Sequence, residues 1–173
     1  ALDPTIDNTL GKWLQQTGYL TAYVGKWLNN APDKPYPGWT RFLRLAEGYY
    51  SYGVQENSGP WKTFVPGQNQ ADCLALGAPA DAGGCYSTDY LAGLTAQTIR
   101  DFSATGSPFF ILWAPYGPHS SQPEDAQGQV VPIPALRHVG LADPAAPVPD
   151  PERTYALCCD LALLADRPAF WRA

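Results

Sequence analysis

The sequence predicts an α/β fold, a partial, mainly parallel sheet with flanking helices. Three observations carry that expectation. A helix, a glycine and a strand follow one another near the start, and the same order recurs from residue 87. The second of the two strands, Phe109 to Ala114 (FFILWA), is apolar at every position, the pattern of a strand covered on both faces.

Residues 6–17 read as the first helix. Ile6, Leu10, Trp13 and Leu14 recur at i, i+4, i+7 and i+8, which places them on one face, and Gly18 stands where a C-terminal cap belongs. Tyr19 to Val24 is β-branched and aromatic without a breaker, so it reads as a strand, and Gly25-Lys26 follows it. Residues 31–86 read as loop-rich, with a turn at PYPGW and a short strand in GYYSYGV that sets Tyr50 and Tyr52 on one face and Tyr49 on the other. Ser87 or Thr88 is expected to cap the second helix, whose apolar face is Leu91, Leu94, Thr98, Ile99 and Phe102, out to Gly106. The strand FFILWA then runs into PYGPHS. Beyond Ser120 the prolines of VVPIPALRH impose extended backbone, LADPAAPVPDPE reads as a connector, and the last twenty residues hold at most a short helix.

Composition narrows the function classes. At 173 residues the chain has the length of one domain, and 45% hydrophobic with 16% charged residues is globular. A formal net charge of −5 argues against a nucleic-acid partner, because phosphate contacts need a basic face. No apolar run approaches the ~20 residues of a membrane-spanning helix. The chain contains no methionine and begins Ala-Leu-Asp, the mark of a processed product or of a fragment, and an internal fragment of a longer protein is the favoured expectation. Cys73 and Cys85 bracket a flexible loop that closes on a local disulfide in an oxidising compartment or else holds two free thiols; adjacent Cys158 and Cys159 do not pair easily with each other. Zinc spacing is absent, since only His119 and His138 are at hand.

In open α/β sheets, sites form beyond the carboxyl ends of the strands. The first strand ends at Lys26 and the second, after a proline turn, at His119. Parallel neighbours would bring both to one edge, where a cation neutralises an anion and an imidazole hands a proton to a leaving oxygen. A lysine at a strand end is more often a solvated terminus, and a histidine in a loop is more often structural or exposed. Pattern alone leaves both readings open.

Longer stretches add a resemblance. TLGKWLQQTGYLTAYVGKWLNN resembles the sulfatase segment in which a helix with a Trp-Leu pair leads to Gly-Tyr-x-Thr and then Gly-Lys-Trp or Gly-Lys-Tyr. The branch it is most similar to is the N-acetylglucosamine-6-sulfatase type. PGWTRFLRL with YYSY, then PFFILWAPYGPHS, then PALRH resemble further landmarks of that branch, in the right order across roughly residues 5–138, and ADRPAFWR near the end is similar to a segment reading Asp-Lys-Pro-x-Trp. The resemblance implies the alkaline phosphatase/sulfatase type of fold, with residues 1–138 as part of a catalytic domain and 139–173 as a Pro/Ala-rich connector and poorly matched tail. It implies that Lys26 binds sulfate oxygens, that His119 assists the leaving group, and that Asn29 has a minor substrate-binding role. It also implies a calcium or similar divalent ion and a formylglycine. Both are expected outside these residues: no Cys/Ser-x-Pro-x-Arg motif is present, and SQPED from Ser121 has Asp125 where the arginine belongs.

The leading expectation is therefore a sulfuric ester hydrolase acting on a sulfated sugar when complete, with this fragment inactive by itself. A secreted or periplasmic location is expected rather than a cytoplasmic one. A phosphatase or phosphodiesterase of the same superfamily fits the anionic chemistry less well than the Gly-Lys-Trp and Pro-His pairing does. A non-catalytic carbohydrate-binding domain would use Trp39, Tyr49, Tyr50, Tyr52 and Trp61 to stack on sugar rings. A degenerate sulfatase remnant is the remaining alternative.

Overall fold

The computed structural model describes residues 8–29, 36–46, 48–120 and 131–141. Helix α1 is Leu10–Gln16. It begins later than residue 6 because Thr9 is extended (φ −124°, ψ 154°) and its hydroxyl accepts from the Lys12 amide, a cap that fixes the first turn. Ile6 lies outside the described residues. At the other end Gly18 takes φ 89°, its amide donates to the Gln15 carbonyl, and the Tyr19 amide donates to the Leu14 carbonyl. That pair of bonds is a Schellman ending and confirms the glycine cap. The apolar stripe is a different matter. Leu10 and Trp13 are exposed, and the buried residue of α1 is Gly11, where a Cβ would lie 2.6 Å from the Gly38 carbonyl oxygen. Close backbone contact with the Gly38 turn, rather than the apolar face, seats this helix.

Strand β1 is Leu20–Lys26, β2 Arg41–Leu45, β3 Tyr52–Glu56 and β4 Lys62–Phe64; α2 is Gln70–Ala75, α3 Ser87–Ser103 and β5 Phe109–Ala114. The five strands form one sheet in the order β4-β3-β2-β1-β5. Its centre is parallel, with β1 between β2 and β5, whereas β3 and β4 add antiparallel at one side. The α/β expectation holds, and its two helix–strand units are α1–β1 and α3–β5. β2, β4 and α2 fall in the stretch read as loop.

Alternation along the strands divides the core. Val24, Leu43 and Leu45 join Tyr49, Tyr52, Val54 and Phe64 against Tyr90, Leu91 and Leu94 of α3. Tyr23 and Phe42 form a second cluster with Tyr36, packed by Trp27, Trp39 and Ala114. Cys73 and Cys85 are disulfide-bonded inside the first cluster, with their Cα atoms 5.5 Å apart. The bridge resolves the alternative that the sequence left open.

Two further expectations change. Strand β5 is not covered on both faces: Phe109, Leu112 and Trp113 are all exposed, and β5 pairs with β1 alone among the described residues. The cap of α3 is Tyr86, with no side-chain capping bond; Ser87 is already helical, its side chain is buried in the core, and its amide donates to the Tyr49 carbonyl at 2.8 Å. Ile99 of the predicted apolar face is also exposed, while Leu91, Thr98 and Phe102 are buried.

The chain divides into two compact units, Ala1–Arg137 and His138–Ala173. In the first, the segment from residue 131 is irregular and leads to a 3-10 turn that begins at Leu136. It is held by Tyr86, whose hydroxyl donates to the Ile133 carbonyl at 2.7 Å, and by Tyr50, which accepts from the Leu136 amide at 2.8 Å. Arg137 completes the attachment with a bond to Asp89 at 2.8 Å. In the second unit, only 138–141 are described, a turn closed by the Leu141 amide on the His138 carbonyl. The expected connector and terminal helix lie outside the described residues.

Candidate active site

Two of the three sequence-predicted site residues, Lys26 and His119, follow strands that leave the sheet at the same edge. β1 and β5 are parallel neighbours in register, with Gly25 opposite Ala114, so Lys26 ends one strand as Pro115 begins the loop that leads from the other to His119. The adjoining β2 ends at the same edge, Leu45 opposite Lys26.

Gly25 sets how close these strands come. Its φ is 136°, in the region that favours glycine, and a Cβ there would lie 1.8 Å from the Ala114 carbonyl oxygen. The glycine before Lys26 is thus required by the backbone of the neighbouring strand. Beneath the turn that follows lie Tyr23, Trp27, Tyr36 and Phe42, in mutual ring contact. The Tyr23 hydroxyl donates to the Lys26 carbonyl, and burial pushes its phenol up to about 12, which keeps it a protonated donor.

Lys26 turns its ammonium onto its own turn, donating to the Trp27 carbonyl at 3.0 Å and to Asn29 Oδ1 at 2.6 Å. The structure therefore brings together two of the expected residues. Because Oδ1 of Asn29 faces the ammonium, its amide nitrogen is the end left to donate to an anion. A ligand oxygen arriving at Lys26 would replace acceptors that the turn now supplies.

His119 is placed by its own loop. The Gly117-Pro118 peptide is cis, and the His119 amide donates to the Tyr116 carbonyl at 3.0 Å. The exposed imidazole lies stacked on the Tyr116 ring, centroids 5.0 Å apart and 24° between planes. Its Nδ1 is 2.6 Å from the Ser120 carbonyl oxygen. A carbonyl only accepts, so Nδ1 carries the hydrogen and Nε2 is the nitrogen that exchanges a proton. The Tyr49 hydroxyl donates to the His119 carbonyl across 70 residues of sequence.

Sequence reasoning did not single out Gly25, Tyr23 or Tyr116 as supports of this edge, and it weighed Tyr49 only as a sugar platform. The signal in the chain was the aromatic density of YVGKW, GYYSY and APYGPH. Of the five aromatics weighed for sugar stacking, Tyr49 and Tyr52 are core residues and Trp39 and Tyr50 are half-buried. Trp61 is exposed, with the Arg44 guanidinium 5.3 Å from its ring centroid. They do not form an open aromatic platform. Among the described residues no group of three His, Cys, Asp or Glu side chains is placed to hold a metal ion.

The profile of the sulfatase family matches residues 2–132. The chain belongs to the sulfatase family. This sulfatase chain is 30% identical over 177 residues to an arylsulfatase of Volvox carteri, covering 93% of this chain and 24% of that protein. It is 26% identical over 115 residues to an arylsulfatase of Chlamydomonas reinhardtii, covering 63% of this chain and 15% of that one. It thus spans about a quarter or less of these curated sulfatases. Among solved structures it is similar to BT4656 in complex with its substrate D-glucosamine-2-N,6-O-disulfate, at 23% identity and a TM-score of 0.47, over 77% of this chain and 21% of the other. The family is one of sulfuric ester hydrolases.

Proposed function

We propose that this chain forms one edge of the active site of a sulfatase that, when complete, cleaves a sulfated sugar. The observation that carries the reading is the exit of Lys26 and His119 from adjacent parallel strands at one sheet edge, in register at Gly25 and Ala114. A cation and a proton-exchanging imidazole at one edge suit an ester whose bond breaks between sulfur and a sugar oxygen.

In this reading Lys26 neutralises the charge of the sulfate oxygens and Asn29 donates one further hydrogen bond from its amide. His119, as imidazolium, holds Nδ1–H on the Ser120 carbonyl and gives the Nε2 proton to the ester oxygen as the S–O bond breaks, so the sugar departs as an alcohol. The formylglycine and the divalent ion that the family implies would supply the nucleophile and further charge neutralisation. Among the described residues no group of three His, Cys, Asp or Glu side chains is placed to hold such an ion. The buried disulfide supports a secreted or periplasmic location.

The test is turnover of a 6-sulfated hexosamine and of an aryl sulfate by the complete natural protein. Lys26→Ala is expected to lower kcat/KM by roughly 100- to 1000-fold, the loss seen when a preorganised charge-stabilising donor is removed. Asn29→Ala should cost only a few-fold. Undiminished turnover by Lys26→Ala would remove lysine from the role assigned to it.

A further inference from the structure

We infer that Tyr49 and Tyr116 are positioning residues for His119, together fixing its main chain and its ring so that Nε2 alone is presented to a ligand. The inference rests on the proposed role of His119 as proton donor, and its structural part is testable without activity.

Three contacts converge on this one exposed residue. Tyr49, a core residue 2% exposed, donates its hydroxyl to the His119 carbonyl. Tyr116, 6% exposed, lies flat against the imidazole, and its hydroxyl donates to the Ser120 carbonyl at 3.1 Å. That same Ser120 carbonyl takes the Nδ1 hydrogen of His119. The two tyrosines are themselves in edge contact, centroids 5.0 Å apart, and Tyr49 stacks on Tyr86 behind. An exposed imidazole ordinarily samples several rotamers and both tautomers. Here the ring has a face to rest on, a carbonyl that selects the tautomer, and a core hydroxyl that anchors the peptide carrying it. Burial raises the Tyr49 phenol above its ordinary value, so it stays a donor through neutral pH. None of these contacts is needed to build the sheet: β5 ends at Ala114, before the loop begins.

The chain holds only two histidines, so imidazole signals in an NMR spectrum of the 173-residue chain are assigned with one His138→Gln control. The expected wild-type result is a His119 ring whose Nδ1 carries its hydrogen toward the Ser120 carbonyl and whose ring protons are shifted by the Tyr116 ring current. Tyr116→Leu should abolish that shift and let both tautomers appear, while Tyr116→Phe should keep the shift. Tyr49→Phe should move the His119 and Ser120 amide signals and mix the tautomers. Near-UV circular dichroism identifies a variant that has failed to fold, and Tyr116→Phe against Tyr116→Leu then decides. Unchanged His119 signals in both Tyr49→Phe and Tyr116→Leu overturn the inference.

In the complete protein, Tyr49→Phe should lower kcat roughly tenfold for sulfates with poor alcohol leaving groups, within the range expected for misplacing a catalytic group. KM and turnover of activated aryl sulfates should hold. Equal loss on both substrate types would overturn it, since a purely structural fault does not distinguish leaving groups. Altered His119 signals with no sulfate-ester turnover by the wild-type protein would support the positioning roles while defeating the proposed function.

Discussion

Gly25 makes the case that a site residue is set by its neighbour's backbone as much as by its own chemistry. Two penalties meet there: a side chain at φ 136° is strained, costing about 1–3 kcal/mol, and its Cβ would overlap the Ala114 carbonyl, for which overpacking costs about 1–3 kcal/mol. Gly18 is the natural control, because its φ is 89° yet a Cβ there would meet nothing within 4 Å. Gly25→Ala is therefore expected to destabilise by roughly 2–6 kcal/mol and Gly18→Ala by the strain part alone. Urea unfolding of the two variants separates the terms, and equal losses would mean that β1 and β5 do not approach so closely in solution. At this scale the sequence was half legible. Lys26 and His119 could be picked out because each follows an apolar run, whereas Tyr49 could not be tied to His119, since 70 residues separate them and only the fold closes that distance.

At the scale of elements, legibility followed periodicity. β1 and α3–β5 were readable because long apolar periods or runs persist in them. β2 was not: Arg41 and Arg44 interrupt its apolar run, and their acceptability depends on tertiary partners, Glu56 and Asp101 for Arg41 and Gln55 for Arg44. Helix α2 is six residues long, too short to show a period, and strand β4 only three. What ties these two together is Lys62 with Asp72, the lysine also lying 5.4 Å from the Phe64 centroid. The bond from Lys62 holds the Asp72 carboxyl below its ordinary 3.8. A carboxyl whose pKa is lower folded than unfolded adds stability above its unfolded value, and that stability is lost as pH falls through the folded one. Desolvation, the largest influence, pulls the Lys62 ammonium down, but its interactions with Asp72 and Tyr90 together outweigh this and leave it raised above 10.5, so the lysine's share is present below that pH and lost as pH rises through the folded value. The pair should thus act across the range between these limits. With side chains 47% and 29% exposed it is solvent-screened, so a double-mutant cycle on Lys62→Ala and Asp72→Ala should give less than about 1 kcal/mol near pH 7. The coupling should fade below about pH 4, near the ordinary aspartate value. A coupling that persists at pH 2 would show that the contact is not ionic.

Over the whole molecule, burial is uneven, and that decides where the fold is most dependent on a single bond. Leu10 and Trp13 of α1, Ile99 of α3, and Phe109, Leu112 and Trp113 of β5 are all exposed, so the β5 side of the sheet contributes less apolar burial than its length suggests. The main cluster lies on the β2–β3–β4 side, with Cys73 and Cys85 inside it at 0% and 2% exposure beside Tyr49 and Leu91. Their bridge closes a loop of sequence separation 12, and short loops of this size are worth about 3 kcal/mol through restriction of the unfolded chain. Marginal stability makes that a large share of the total. Reduction, or a Cys73→Ala/Cys85→Ala pair, is expected to lower unfolding stability by about 2–4 kcal/mol. Because Tyr49 belongs to the same cluster and anchors the His119 carbonyl, the His119 signals should broaden before the sheet melts. Alkylation before and after reduction checks the premise, since Cys73 and Cys85 should resist labelling until the bridge is broken. If both label freely in the folded chain, the core is not stapled there and reduction should leave both stability and His119 unmoved.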